Sequence, residues 1–285
     1  MPLVEGAIFG FMAMLSLGVC DFLGKKAVDK FGDFSSLLFT QAIGFIPALL
    51  YIIVFAELPL LSQESLLFII VTAFFSFMAW VLFYRGLAQG MASVIVPIVG
   101  SWGAVTTVLA LLVLGEQPTS IQLLGILVIF AGVFLTAVEF KSFKQKALSA
   151  GAILAFAALL LFGVVGLLTD FVVEGVGPIF SFFSLRLVSL VFLASYAPLR
   201  KIKVEWPARS LWLVLIGVAI AELFGNLFFM IGIDIGMVSI VSAIVAAYTP
   251  VTVVLAHFFL HERILTNQKL GIVLTVVGLI GVSLA

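Results

Sequence analysis

Ten apolar stretches, each close to the length needed to cross a bilayer, take up almost the whole chain: residues 3–23, 35–55, 66–88, 93–114, 121–138, 148–169, 178–197, 210–233, 238–260 and 268–285. A helical span needs about 20 apolar residues at about 1.5 Å rise each. The composition fits that reading, with 64% apolar and 10% charged residues and a mean hydropathy of +1.36. Hydrocarbon offers the backbone no partners, so only helices or a closed barrel can span it. Barrel strands alternate polar and apolar residues, and these stretches do not. The expected fold is an all-α polytopic membrane protein of ten helices, with no room left for a soluble domain.

Several functions are excluded early. Fourteen basic residues balance fourteen acidic ones, and no basic stripe exists of the kind that binds a phosphate backbone, so nucleic acid is not an expected partner. The single cysteine, Cys20, cannot form an internal disulfide. With only His257 and His261 beside it, the chain has no metal-ligand spacing and no expected cofactor. No basic segment precedes the first apolar run, so that run reads as a retained helix rather than a cleaved signal.

The chain also repeats itself. A shift of 146 positions aligns residues 83–136 with 229–282 without a gap, and 19 of the 54 pairs are identical, among them Gly86/Gly232, Ser93/Ser239, Thr106/Thr252, Glu116/Glu262, Gln122/Gln268, Gly125/Gly271 and Gly132/Gly278. A shift of 145 matches Gly6-Ala7-Ile8 with Gly151-Ala152-Ile153 and Gly18-Val19 with Gly163-Val164. Loop residues and registered glycines are not what chance similarity between apolar helices produces. The chain reads as a tandem duplication, residues 1–140 and 147–285, of five spans each. Five is odd, so the second copy enters from the opposite face and the repeats are inverted, an architecture of alternating-access transporters.

The links after odd-numbered spans carry 13 of the 14 basic residues, and those after even-numbered spans carry Glu57, Glu64, Glu116, Asp170, Glu174 and Asp234. Cytoplasmic loops are enriched in Lys and Arg. The odd links are therefore expected in the cytoplasm and both termini outside.

The run from Gly232 through Ser239, Pro250 twelve residues before Glu262, and then Gly271 and Gly278 resemble the EamA-type repeat of the drug/metabolite transporter superfamily; Leu114-Gly115-Glu116 with Gly125 and Gly132 is similar to it in the first copy. The resemblance covers nearly the whole chain. It implies that spans three, four, eight and nine, with one and six, line a central cavity, and that both termini are cytoplasmic, against the charge count. The first copy departs from the pattern with Ala104 where the second has Pro250, and with Gln41 where the second has the family's arginine as Arg186.

Glu222 lies near the middle of the eighth span, where a carboxylate costs about 2.5–3.5 kcal/mol on insertion scales. It must therefore face protein or water, and an apolar setting suits it to taking and releasing protons. Asn226, one turn on, shares its face. Arg186 is the only basic residue inside a span. It lies about 12 Å below the acidic face and Glu222 about 16 Å, so Arg186 can pair with Glu222 or hold a substrate carboxylate. Trp80 and Ser76 are the repeat partners of Asn226 and Glu222, and Trp102 is that of Tyr248; these too are expected at the cavity. Pro97 and Pro250 interrupt spans four and nine as expected hinges. Glu116 and Glu262 suit a cap at the start of the following helix. His257 and His261 read as interfacial, and Asp21 with Lys25 and Lys26 as an interfacial anchor.

The expected activity is secondary transport of small organic metabolites such as amino acids, by export or exchange, by alternating access in a multi-pass protein of the plasma membrane. Proton coupling through Glu222 is one form of it. An uncoupled channel or facilitator is the alternative. An intramembrane enzyme fits least, since His-Glu-x-x-His and Gly-x-Ser-x-Gly motifs are both missing. The expected partners are the substrate, the bilayer and protons, with the protein a monomer or homodimer.

Overall fold

The computed structural model of the chain describes residues 2–55, 59, 61–89, 95, 98–137, 150–204, 206–261 and 263–283. Among them every regular element is helical: α1 Pro2–Phe31, α2 Asp33–Phe55, α3 Gln63–Gln89, α4 Trp102–Leu109, α5 Ser120–Ala137, α6 Ala150–Val176, α7 Pro178–Leu199, α8 Trp212–Ile235, α9 Val238–Ala246, α10 Tyr248–Leu260 and α11 Thr266–Ser283. Helix α4 runs on into a π turn, Ala110–Leu114. Helices α9 and α10 together form the ninth span. Nine of these helical stretches are long and apolar enough to cross a membrane, and Ile98–Leu114 is a shorter apolar tenth. Pro97, expected as a hinge in that tenth stretch, lies outside the described residues, as does Glu262.

Some helices outrun their apolar segments. Helix α1 continues to Phe31 and α6 to Val176, past the expected ends at 23 and 169, because helical hydrogen bonding persists into the interface where polarity no longer costs insertion. Gly177, with φ of 75°, then stops α6 in the left-handed region open to glycine. Pro178 opens α7 at the first helical position, where its missing N–H has no bond to lose.

The contact between α5 and α11 settles how the two copies are related. A Cβ on Gly132 would stand 2.5 Å from the Thr275 backbone nitrogen, and one on its repeat counterpart Gly278 would stand 2.7 Å from that of Ile129. Gly125 meets Val282 and Gly278, whereas Gly271 meets Thr136 and Gly132. Rising numbers on α5 thus face falling numbers on α11. Equivalent helices packed antiparallel, with equivalent glycines in register, are the mark of a pseudo-twofold axis in the membrane plane. The remaining helices obey the same axis: α1 lies against α8, with Gly6 at Gly236 and Leu17 at Gly225, and α6 lies against α3, with Gly151 at Gly86 and Phe171 stacked on Phe68. Even single hydrogen bonds recur. The Thr106 hydroxyl donates to the Gly163 carbonyl at 2.9 Å, and its counterpart Thr252 donates to the Gly18 carbonyl at 3.2 Å.

Spans four and nine are both broken, at equivalent positions. Ser101 has φ −81° and ψ 10°, and Ala247 has φ −71° and ψ 5°. In the ninth span Pro250 has no N–H to offer the Ala246 carbonyl, and α10 starts afresh at Tyr248. The fourth span breaks without a proline, since Ala104 stands at the corresponding place. The break therefore belongs to the fold, and Pro250 reinforces it.

Candidate functional site

In the middle of the bundle three polar side chains from three helices meet. Arg186 of α7 donates from Nη1 to Glu222 Oε1 of α8 at 3.0 Å and also to Gln41 Oε1 of α2. Gln41 in turn donates from Nε2 to the same Glu222 oxygen at 3.2 Å. Arg186 is only 5% exposed and Glu222 16%. The guanidinium lies 4.9 Å from the centre of the Phe182 ring. Gly44 lies alongside it, where an added Cβ would stand in ordinary contact at 3.6 Å from Nη2. The pairing of Arg186 with Glu222 removes the lone charge that neither residue could carry cheaply in hydrocarbon. Gln41, noticed in the sequence only as a missing arginine, completes the group. Its discoverable signal was position, because Gln41 and Arg186 are repeat equivalents.

Asn226 spends its Nδ2 donor at 2.8 Å on the Glu222 backbone carbonyl, one turn back on the same helix. Tyr248 and Trp102 come together: the Tyr248 hydroxyl is in hydrogen-bonding contact with the side chains of Trp102 and Thr249. Repeat partners that touch must lie at the axis. Trp102 also stands edge-on to Phe229 at 5.8 Å. Trp80 packs edge-on against Phe162 of α6 at 5.2 Å, and Ser76 sits half-buried on α3. These two occupy the positions across the axis from Asn226 and Glu222.

Asp21, expected as an interfacial anchor, is exposed on α1, one turn beyond Leu17 and Gly18, which pack on Gly225 of α8 and Val251 of α10.

The two ends of the bundle differ. On the acidic face all nine residues of α9 are buried. Gly115, with φ of 67°, ends the fourth span in the left-handed region and turns Glu116 back over the bundle. Glu116 Oε1 accepts the Val238 N–H at 2.6 Å and Oε2 the Ser239 N–H at 2.8 Å. The carboxylate thus caps a helix as expected, but the helix is α9 of the other repeat rather than the following α5. A charge at a helix N-terminus satisfies orphan donors and the dipole together. Below it the Thr107 hydroxyl donates to the Ser239 carbonyl at 3.0 Å. Toward the basic face Val251–Ala256 of α10 are all half-exposed. This stretch is thus less closely packed than α9.

The two inverted repeats seen in the bundle also appear in the comparison with known families. The EamA-like transporter family model matches residues 4–138 and again 149–284. The chain belongs to the EamA-like transporter family. It is thus a multi-pass integral membrane protein of two inverted repeats in a family of transporters. An uncharacterised protein of Methanocaldococcus jannaschii is 28% identical over 132 residues, which are 46% of this chain and 96% of that one. It is similar to a single repeat in length. A solved crystal structure shares the fold with a TM-score of 0.81 at 15% identity, covering 99% of this chain and 97% of the other.

Proposed function

We propose that this EamA-like protein is a secondary transporter of small organic metabolites, working at the plasma membrane as an exporter or exchanger by alternating access between its two repeats, residues 1–140 and 147–285. The observation that supports this is an asymmetry within a symmetric molecule. Two halves with equivalent helices, breaks and hydrogen bonds are sealed at the Glu116 end, where all of α9 is buried, and less closely packed at the Val251–Ala256 end. Exchange of those environments between repeats would move the opening from one face to the other. The breaks at Ser101 and Ala247 lie beside Trp102 and Tyr248, where such an exchange must pivot.

Glu222 is the group through which protons would couple. One of its oxygens holds both Arg186 and Gln41, so a proton arriving there would loosen α7 and α2 together. The charged groups around it are Arg186 of α7 and Asp21 of α1, with Cys20 nearby. Asn226, Trp102 and Tyr248 offer polar and aromatic contact to a bound solute, while Ser76 and Trp80 would do so in the opposite state.

Reconstitution in liposomes tests this. Purified protein is challenged with amino acids, amines and other small metabolites while internal pH and solute counterflow are followed, beside Glu222→Gln. Substrate-dependent proton movement lost in Glu222→Gln is the expected result. Counterflow that survives Glu222→Gln with no proton movement would leave an uncoupled exchanger. No counterflow of any solute would overturn the transporter reading.

A further inference from the structure

Between α7 and α8 the chain changes character. Arg200, Lys201, Lys203 and Arg209 fall within ten residues, and one acid, Glu205, lies among them. Four positive charges less one negative leave the link at +3 however its own residues pair. All four basic side chains are exposed. The backbone of the link is folded back on the end of α7: the Arg200 N–H donates to the Tyr196 carbonyl at 3.0 Å, that of Lys201 to Pro198 at 3.1 Å and that of Ile202 to Ala197 at 3.0 Å. Lys201, with φ of 54°, takes the left-handed turn that ends the helix, and Pro207 is buried.

Trp206 stands in the same link and is 81% exposed, although its ring meets Phe39 of α2 edge-on at 5.5 Å. Phe39 in turn touches Phe31 of α1 and Trp212 of α8, so the link is pinned on the end of the bundle. Leu199 and Leu213, at the ends of the two flanking spans, are equally bare. Such leucines lie against hydrocarbon, which sets the link at the boundary between acyl chains and headgroups, where an indole is most at home. Symmetry does not demand this arrangement. The equivalent link of the first repeat, residues 55–64 at the shift of 145, lies on the opposite face and has Glu57 and Glu64 but no basic residue and no tryptophan. Arg209 there corresponds to Glu64.

We propose that the α7–α8 link is a docking site for anionic phospholipid on the basic face, with Lys201, Lys203 and Arg209 holding the headgroup phosphates and Trp206 lying at the top of the acyl chains. A cluster of four cations beside a span draws lipids of net negative charge, and the arginine fork and lysine ammonium both suit phosphate oxygens. A zwitterionic lipid offers the same phosphate with a cancelling cation, so it competes poorly. The link joins the two helices that carry Arg186 and Glu222, and an occupied site would brace both from one end. The proposal is independent of which solute is carried.

Native mass spectrometry of the full chain in detergent, with phosphatidylglycerol and phosphatidylcholine of one chain length added in equal amounts, reads which lipid stays bound. The natural protein should retain phosphatidylglycerol about fivefold or more over phosphatidylcholine. Lys203→Gln/Arg209→Gln should bring the two lipids within about twofold of each other. Arg263→Gln/Lys269→Gln removes the same charge from other exposed positions of the basic face and should keep the preference. The reading is a ratio of two lipids on one protein, so a general loss of stability does not imitate it. No preference in the natural protein, or an equal loss in both paired variants, would overturn the site. Glycerol 3-phosphate, the headgroup phosphate in soluble form, should leave the retained lipid in place; displacement by it would assign the link to a soluble anion and overturn the lipid.

Discussion

Gln41 and Arg186, which hold equivalent positions in the two repeats, hydrogen-bond each other across the pseudo-twofold axis. A residue that touches its own repeat partner must differ from it if it is charged, because two guanidiniums there would repel each other in a medium of low dielectric constant. One arginine, one glutamine and the single carboxylate of Glu222 satisfy the site. The first repeat has Ser76 where the second has Glu222, so the charge pair was kept whole in one copy and given up whole in the other.

Gln41→Arg should therefore be strongly destabilising, by about 3 kcal/mol, as expected for a buried charge without a partner. Thermal unfolding of Gln41→Arg beside the natural protein in detergent measures this, and an unchanged melting temperature would show that Gln41 and Arg186 do not meet as described.

Gly115 and His261 are also repeat equivalents, and both adopt the left-handed backbone, with φ of 67° and 56°. The conformation is required where spans four and nine turn, but only the first copy uses the residue that adopts it freely. An L-residue pays about 1 kcal/mol there. His261→Gly should raise stability by up to about that amount, and Gly115→Ala should lower it by a similar amount. Opposite signs in a melting experiment are the expected result.

At the α5–α11 seam, Gly132→Ala should cost about 3 kcal/mol or more, because the new Cβ meets the backbone nitrogen of Thr275 rather than a movable side-chain tip. Gly278→Ala, its repeat counterpart, should cost a comparable amount. Gly24→Ala is the control. Nothing lies within 4 Å of its added Cβ, and alanine is the better helix former. Yields of folded protein and melting temperatures would show two losses of similar size beside an unharmed control.

Much of the architecture was legible in the sequence because its causes are local or periodic. Apolar run length marks spans, and the 145–146 shift with an odd span count dictates inversion. The α5–α11 seam could be anticipated from glycines alone. The candidate site was legible only as far as depth along each helix could be counted, which was enough to pair Arg186 with Glu222. Rotation about the helix axis was not available to counting, so Gln41 was not placed beside Arg186 and Glu222. Glu116 shows the other limit. Its chemistry as a helix cap was readable, but the nearest helix in sequence is not the nearest in space once two inverted repeats interlock.

That interlock makes Glu116 a test of closure. Its two oxygens hold two adjacent backbone donors of α9 from the far repeat, and hydrogen bonds to a charged group contribute about 1.5–3 kcal/mol. Losing them should shift the balance between sealed and open acidic face by about tenfold or more. Because Cys20 is the only cysteine, Cys20→Ser gives a clean background in which Ser242→Cys places a thiol inside α9, where Ser242 is fully buried. A membrane-impermeant alkylating reagent should reach that thiol from the acidic face slowly when Glu116 is present and about tenfold faster in Glu116→Ala. Glu116→Gln, which keeps one acceptor oxygen and loses the charge, should fall between the two. Equal labelling rates in all three would mean that the acidic face is held shut by the packing of Gly103 and Thr107 on α9 alone.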